Sequence, residues 1–176
     1  MTAEGHLSWT PAHDPSQQAL LAPPVARAVH ALPGARVAPI DPDLADTAAF
    51  CAAYGSPLEH SANCVVVAGR RAGEVRYAAV LVLANMRADI NGVVRRHLDV
   101  RKISFAPQDE AVELTGMEFG GITPVGLPPA WPVLIDPAVV EAGDVVIGSG
   151  IRASKLLVPA AQIAALPSAQ VLPLAL

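Results

Sequence analysis

Gly116-Met117-Glu118-Phe119-Gly120-Gly121-Ile122-Thr123-Pro124-Val125-Gly126-Leu127 packs four glycines and a proline into twelve residues. Regular structure is expected on both sides: a short helix over Pro107 to Leu114 that stops at Gly116, and a strand over Val133 to Ile135. Glycine permits backbone conformations and close approaches that a Cβ forbids. A Gly-Gly-Ile-Thr-Pro turn can aim consecutive N–H groups at one point, which suits an anion or a carbonyl oxygen that gains negative charge during reaction. Thr123 adds a hydroxyl that can position water or substrate, or simply stabilise the turn.

Working outward, Asn63 to Ala68 and Val75 to Leu83 are rich in Val and Ala, with Gly69 to Gly73 between them, and read as two strands of a hairpin. A first helix runs from Pro24 to Leu32, a short strand covers Val37 to Ile40, and a second helix fits Leu44 to Tyr54, burying Leu44, Ala48, Cys51 and Ala52. Asp89 caps a helix through Leu98, and Lys102 to Phe105 is a short strand. Toward the C-terminus follow a turn of helix at Pro137 to Glu141, strands at Val145 to Gly148 and Ser154 to Val158, and a helix at Ala160 to Leu166. Strands and helices mingle without a regular βαβ repeat, so the expected fold is α/β, a single domain with a mixed β-sheet and surrounding helices. Residues 1–22 read as an N-terminal extension, with the domain proper at 23–176.

The order of these segments resembles the YbaK/EbsC family of aminoacyl-tRNA deacylases, which includes the editing insertion of bacterial prolyl-tRNA synthetases. The likeness rests on Leu114-Thr115-Gly116 with the Gly-Gly-Ile-Thr-Pro-Val-Gly turn, on Pro132-Val133-Leu134-Ile135-Asp136, and on Val145-Val146-Ile147-Gly148-Ser149-Gly150. The resemblance implies a YbaK-like fold and a hydrolase that clears a wrong amino acid from tRNA in trans. It implies that Gly120, Gly121, Ile122, Thr123 and Pro124 hold the scissile ester and terminal adenosine, with Gly120 and Gly121 as oxyanion donors. Gly126, Gly148, Ser149, Gly150, Asn85 and Arg87 follow as substrate-side positions. The implied partners are an aminoacyl-tRNA acceptor end and a synthetase.

Two positions depart from the family pattern. Asn63 stands where many relatives have a lysine; an amide lacks the charge but still donates and accepts hydrogen bonds. Ile151 stands where relatives that sort small side chains often place a histidine. With Asn63 and Ser149 as polar contacts, seryl or threonyl esters are the expected substrates, since polar pockets discriminate strongly for a hydroxyl. The rivals are a binding module of the same fold without catalysis and a regulatory partner of a synthetase. Arg152 and Lys155, just after the Gly-Ser-Gly turn, are read as solvent-exposed, with contact to a phosphate as the alternative.

Composition sets outer bounds. At 176 residues with 52% hydrophobic and 4% aromatic content, the core must be built from Ala, Val, Leu and Ile. The histidines are scattered and neither Cys51 nor Cys64 has metal-ligand spacing, so no metal or cofactor is expected. His60 and Cys64 read as a surface imidazole and a core thiol. The absence of a leader-like or membrane-spanning stretch gives a cytoplasmic expectation. Net charge is −4, yet the stretch from Arg70 to Lys102 holds eight of the twelve basic residues against three acidic ones, a local +5 that suits a few phosphate contacts.

Overall fold

The molecule is built on two separate β-sheets, joined where Ser61 bridges to Val146. The computed structural model describes residues 2–176. Its strands are β1 (Thr10–Pro11), β2 (Arg36–Pro39), β3 (Ala62–Arg71), β4 (Glu74–Leu83), β5 (Lys102–Phe105), β6 (Val133–Ile135), β7 (Asp144–Gly148), β8 (Ser154–Pro159) and β9 (Ala169–Val171). The helices are α1 (Pro23–Ala28), α2 (Thr47–Tyr54), α3 (Arg95–His97), α4 (Gln108–Thr115), α5 (Pro137–Glu141) and α6 (Ala160–Ala164). One sheet is antiparallel in the order β1-β2-β8-β7; the other is mixed, β5-β3-β4-β6-β9, with β6 and β9 parallel to their neighbours.

The hairpin of β3 and β4 pairs ten residues on each side and closes on Ala72-Gly73, both at positive φ (50° and 82°) as a right-twisted two-residue turn requires. The sequence reading places a longer connection here. Apolar runs on β4, β6, β7 and β8 are buried on both faces, and Val25, Val29 and Leu32 of the first helical segment close the main core. Residues assigned to an N-terminal extension are built into this body: β1 pairs with β2, and Ala12, Leu21 and Ala22 are buried in the same cluster.

The second helix is shorter than predicted. A single turn at Pro42–Leu44, capped by the Asp41 carboxylate on the Asp43 N–H, precedes α2. Phe50 is the residue α2 buries, whereas Ala48 and Ala52 face outward. An alanine-rich helix carries little difference between its faces, so one phenylalanine fixes which side turns inward. Asp89 does cap its segment, accepting from the N–H groups of Gly92 and Val93, and a wide turn at Ile90–Val94 leads into α3.

Asp136 closes the end of β6. One carboxylate oxygen accepts from the Ala138 N–H at 2.9 Å, starting α5, and the other from the Leu174 and Ala175 N–H groups at 2.8 and 2.9 Å. A helix start and the C-terminal segment are thereby tied to one strand end.

Candidate active site

The cavity opens where β3 changes partners. At its start β3 runs beside β7, with Ser61 bridging to Val146; farther along it runs beside β5, beginning where the Ala106 N–H donates to the Val66 carbonyl. Between these points, over Asn63 to Val65, one edge of β3 has neither neighbour. A cavity of about 580 Å³ fills the gap, a volume suited to a small organic group. Its lining draws on the start of α2 (Asp46, Thr47), the open part of β3, Gln108 of α4, Phe105, the glycine turn, Gly148 and Lys155.

Asn63 sits at the start of β3 opposite Val82. The Thr47 hydroxyl donates to Asn63 Oδ1 at 2.6 Å. That bond uses the amide's acceptor and leaves its two N–H protons to point to a bound group. Thr47 is the first residue of α2, so the helix start sets the orientation of the Asn63 amide.

Lys155 corrects the sequence reading most sharply. It is 7% exposed, on a strand flanked by β2 and β7, and it lines the cavity. Nζ donates to the Ala45 carbonyl at 2.7 Å and lies 5.5 Å from the centroid of the Phe50 ring. Among the described residues it forms no salt bridge with a carboxylate, the nearby Asp46 being paired to Arg152 at 3.8 Å. Burial pulls the Lys155 pKa down to about 8 from 10.5. It is therefore mostly protonated at pH 7. Holding that charge there costs the fold on the order of 3 kcal/mol at neutral pH. A lysine within a strand suggests a solvated edge; α2 laid across that face is what the sequence does not reveal.

The glycine turn behaves differently from its sequence reading. Gly120 and Ile122 line the cavity, and the Gly120 N–H has no protein hydrogen bond among the described residues. The Gly121 N–H, expected to face an oxyanion, instead donates to the Glu118 carbonyl at 2.9 Å. A Cβ on Gly121 would meet the Ile151 backbone at 2.7 to 2.8 Å, and one on Gly148 would meet the Ile122 carbonyl at 2.7 Å. The Gly150 N–H donates to the Gly121 carbonyl at 2.7 Å and the Glu118 N–H to the Gly150 carbonyl at 2.9 Å. These glycines let two loops meet backbone to backbone.

Other expected site residues lie outside the lining. Ser149 is fully buried; its hydroxyl donates toward the Ile151 and Ser154 carbonyls and accepts from the Ser154 hydroxyl at 2.7 Å, so it serves its own turn. Thr123 is fully buried with no partner for its hydroxyl. Pro124 is buried, and Ile151 presents its backbone to Gly121. Gly126 and Gly150 lie against Pro24 and Ala22. Asn85 and Arg87 are exposed beyond the end of β4. Arg152 is half-buried rather than free, donating to the Pro42 carbonyl at 3.0 to 3.2 Å. Cys64 does line the cavity, but burial pushes its thiol up to about 12, which removes it as a nucleophile at neutral pH. Among the described residues, no three metal-ligating side chains stand together.

The sequence matches the profile of the aminoacyl-tRNA editing domain over residues 41–166, nearly three quarters of the chain and all of the cavity lining. The chain belongs to that family. The activity of the editing domain is deacylation of mischarged tRNA, and the chain is a hydrolase of this class. Among solved structures, it is similar to a candidate trans-editing enzyme for prolyl-tRNA synthetase, with 24% identity, TM-score 0.73, and coverage of 89% of this chain and 99% of that one. It is also similar to a hypothetical protein (23% identity, TM-score 0.71, 81% and 91% covered). A candidate signal-transduction protein from Marinobacter aquaeolei shares the fold over 87% of this chain and 30% of that one (18% identity, TM-score 0.56). No curated protein matches it in sequence. No described helix of the editing domain is long and apolar enough to cross a membrane.

Proposed function

We propose that the editing domain acts in trans on seryl- or threonyl-tRNA, with the ester carbonyl placed between Asn63 and Lys155. Fixed N–H donors and a cation in a water-poor cavity are the arrangement that stabilises charge developing on a carbonyl oxygen. The observation that carries this reading is the pairing, in one cavity, of an amide oriented by Thr47 with a buried ammonium that has no carboxylate partner.

In this scheme water attacks the ester carbon and its π electrons move onto the oxygen, which receives hydrogen bonds from Asn63 Nδ2, Lys155 Nζ and the Gly120 N–H. Collapse of the intermediate expels the ribose oxygen, and the proton given up by the attacking water replaces the one that the neighbouring ribose hydroxyl or Lys155 passes to that oxygen, so both end as they began. The Asp46 carboxylate at the rim is the acceptor available to the substrate's α-ammonium. A seryl or threonyl hydroxyl would bond the Thr47–Asn63 pair; Ser149 is too enclosed to take part. The in-trans reading is supported by the likeness across 99% of a candidate trans-editing enzyme, which also makes prolyl-tRNA synthetase the leading partner. The cytoplasm, where mischarged tRNA arises, is the proposed location.

The test is amino acid release from purified seryl-, threonyl-, alanyl- and cysteinyl-tRNA. Preferential turnover of a hydroxyl-bearing ester, lost in Lys155→Met, is the expected result. Equal cleavage of alanyl-tRNA would refute the specificity, and full activity in Lys155→Met would refute the mechanism.

A further inference from the structure

The mouth of the cavity differs in chemistry from its interior. The chain has only three phenylalanines, and all of them border this region. Phe50 packs beneath the Lys155 ammonium, while Phe105 and Phe119 line the cavity with 63% and 53% of their surfaces exposed. They come from separate elements, Phe105 from the end of β5 and Phe119 from the glycine turn. Leaving such a ring in water forgoes roughly 1.5–3 kcal/mol of burial. The other exposed large apolar side chains, Leu58, Val75, Leu114, Val171 and Leu176, are all aliphatic, and none lines the cavity.

Positive charge continues from this mouth along one strand. β5 is the edge of its sheet, and Lys102, three residues from Phe105, pairs across to Arg70. At about 3.3 Å per residue the basic pair stands roughly 10 Å along the edge strand from Phe105, and strand alternation turns it to the opposite face, so an RNA strand leaving the mouth would cross the β5 edge to reach it. Arg71 and Arg76 are tied to Asp99, and Arg76 also to Glu74. Arg70, Arg101 and Lys102 are exposed and form no salt bridge among the described residues. Cations on an edge strand also guard against edge-to-edge pairing, but that role does not call for exposed aromatic rings at the cavity end.

Aromatic faces with adjacent cations are how proteins hold unpaired nucleotides, since every base has a face to stack. We propose that Phe105 and Phe119 form the stacking platform for the unpaired 3′-terminal bases of the tRNA, with Arg70, Arg101 and Lys102 holding phosphates of the same strand. This deepens the deacylase reading by assigning the route along which the RNA end enters. A single stacked base contributes about 1–3 kcal/mol, and each phosphate contact makes binding steeper in salt.

The experiment measures fluorescence anisotropy of the full chain with two uncharged RNA hairpins, one carrying four unpaired 3′ nucleotides and one blunt. Wild type should prefer the overhang. Phe105→Ala with Phe119→Ala should weaken overhang binding about 10- to 100-fold and leave blunt binding unchanged. Arg70→Gln with Lys102→Gln should weaken both RNAs and flatten the salt dependence by roughly 1–2 in log–log slope. Phe105→Leu keeps apolar bulk without a stacking face and should resemble the alanine change. Equal wild-type affinity for the two hairpins, or unchanged affinity in the double phenylalanine variant, overturns the platform. So does a sedimentation result in which wild type dimerises and the double variant does not, because a second copy would then be the occupant. Overhang binding without hydrolysis of any aminoacyl-tRNA would leave the platform standing and remove the activity reading. Hydrolysis with KM unchanged in the double variant would do the reverse.

Discussion

Asp136 and Lys155 are buried to nearly the same degree, 5% and 7% exposed, in different surroundings. Asp136 accepts from three backbone N–H groups and joins β6, α5 and the C-terminal segment. Lys155 has one carbonyl and one aromatic ring for company and lines a cavity. A buried charge whose hydrogen bonds are supplied by the fold is a structural joint; one left under-supplied beside an opening is poised for a ligand. The first strengthens the native state, whereas the second is carried at a cost.

This contrast can be broken experimentally. The largest expected effect is Asp136→Ala, which leaves three N–H groups without their acceptor and should lower stability by about 3–4 kcal/mol, read as a fall in urea midpoint, with turnover per folded molecule retained. Lys155→Met should do the opposite, cutting kcat at least 100-fold, about 2.7 kcal/mol, while raising the melting temperature. A Lys155→Met protein less stable than wild type at pH 7 would make Lys155 a joint like Asp136.

A change of pH sharpens the same point. The unfolded chain keeps the Lys155 proton up to about 10.5 and the folded chain releases it near 8. Between those values the unfolded state binds more protons, so the lysine's penalty shrinks as pH rises and is fully present below about 8. The stability gained by Lys155→Met should therefore diminish from pH 8 toward 10.5. If the ammonium stabilises the oxyanion, the enzymatic rate should fall through an apparent pKa near 8. A rate that instead rises there would make Lys155 a base. Smaller still is Asn63→Ala, with turnover reduced about 10- to 30-fold, and smallest Thr47→Val, which frees the amide to rotate and should cost about fivefold. A matched loss of stability and turnover in Asn63→Ala would make that residue structural.

Much of the frame was legible in the chain. β5 and α5 have the predicted bounds, β6 likewise, and Asp89 and Asp136 cap as their positions suggest. Local chemistry decides each of these: alternation, a cap, a proline at the first helical turn. The site was legible only where backbone mattered. Gly120 and Gly148 reach the cavity, but the Gly121 amide and the Ser149 hydroxyl are each consumed inside their own turns, by Glu118 and by Ile151 and Ser154, in backbone geometry that residue type alone does not reveal. Lys155 was hidden for a different reason, since its burial depends on α2, more than a hundred positions earlier. Phe105 and Phe119 had a faint signal, being two of three phenylalanines in an aromatic-poor chain, but nothing local brings them together.

Having only two lysines gives the Lys155 environment a practical use. Lys102 stands exposed on the edge strand, and Lys155 is the side-chain amine that spends part of its time as a free base near pH 8. A mild acylating reagent admitted to the cavity should mark it, and the mass of one proteolytic fragment would report how often the cavity is filled. The residue that burdens the fold thus doubles as a built-in chemical reporter of occupancy.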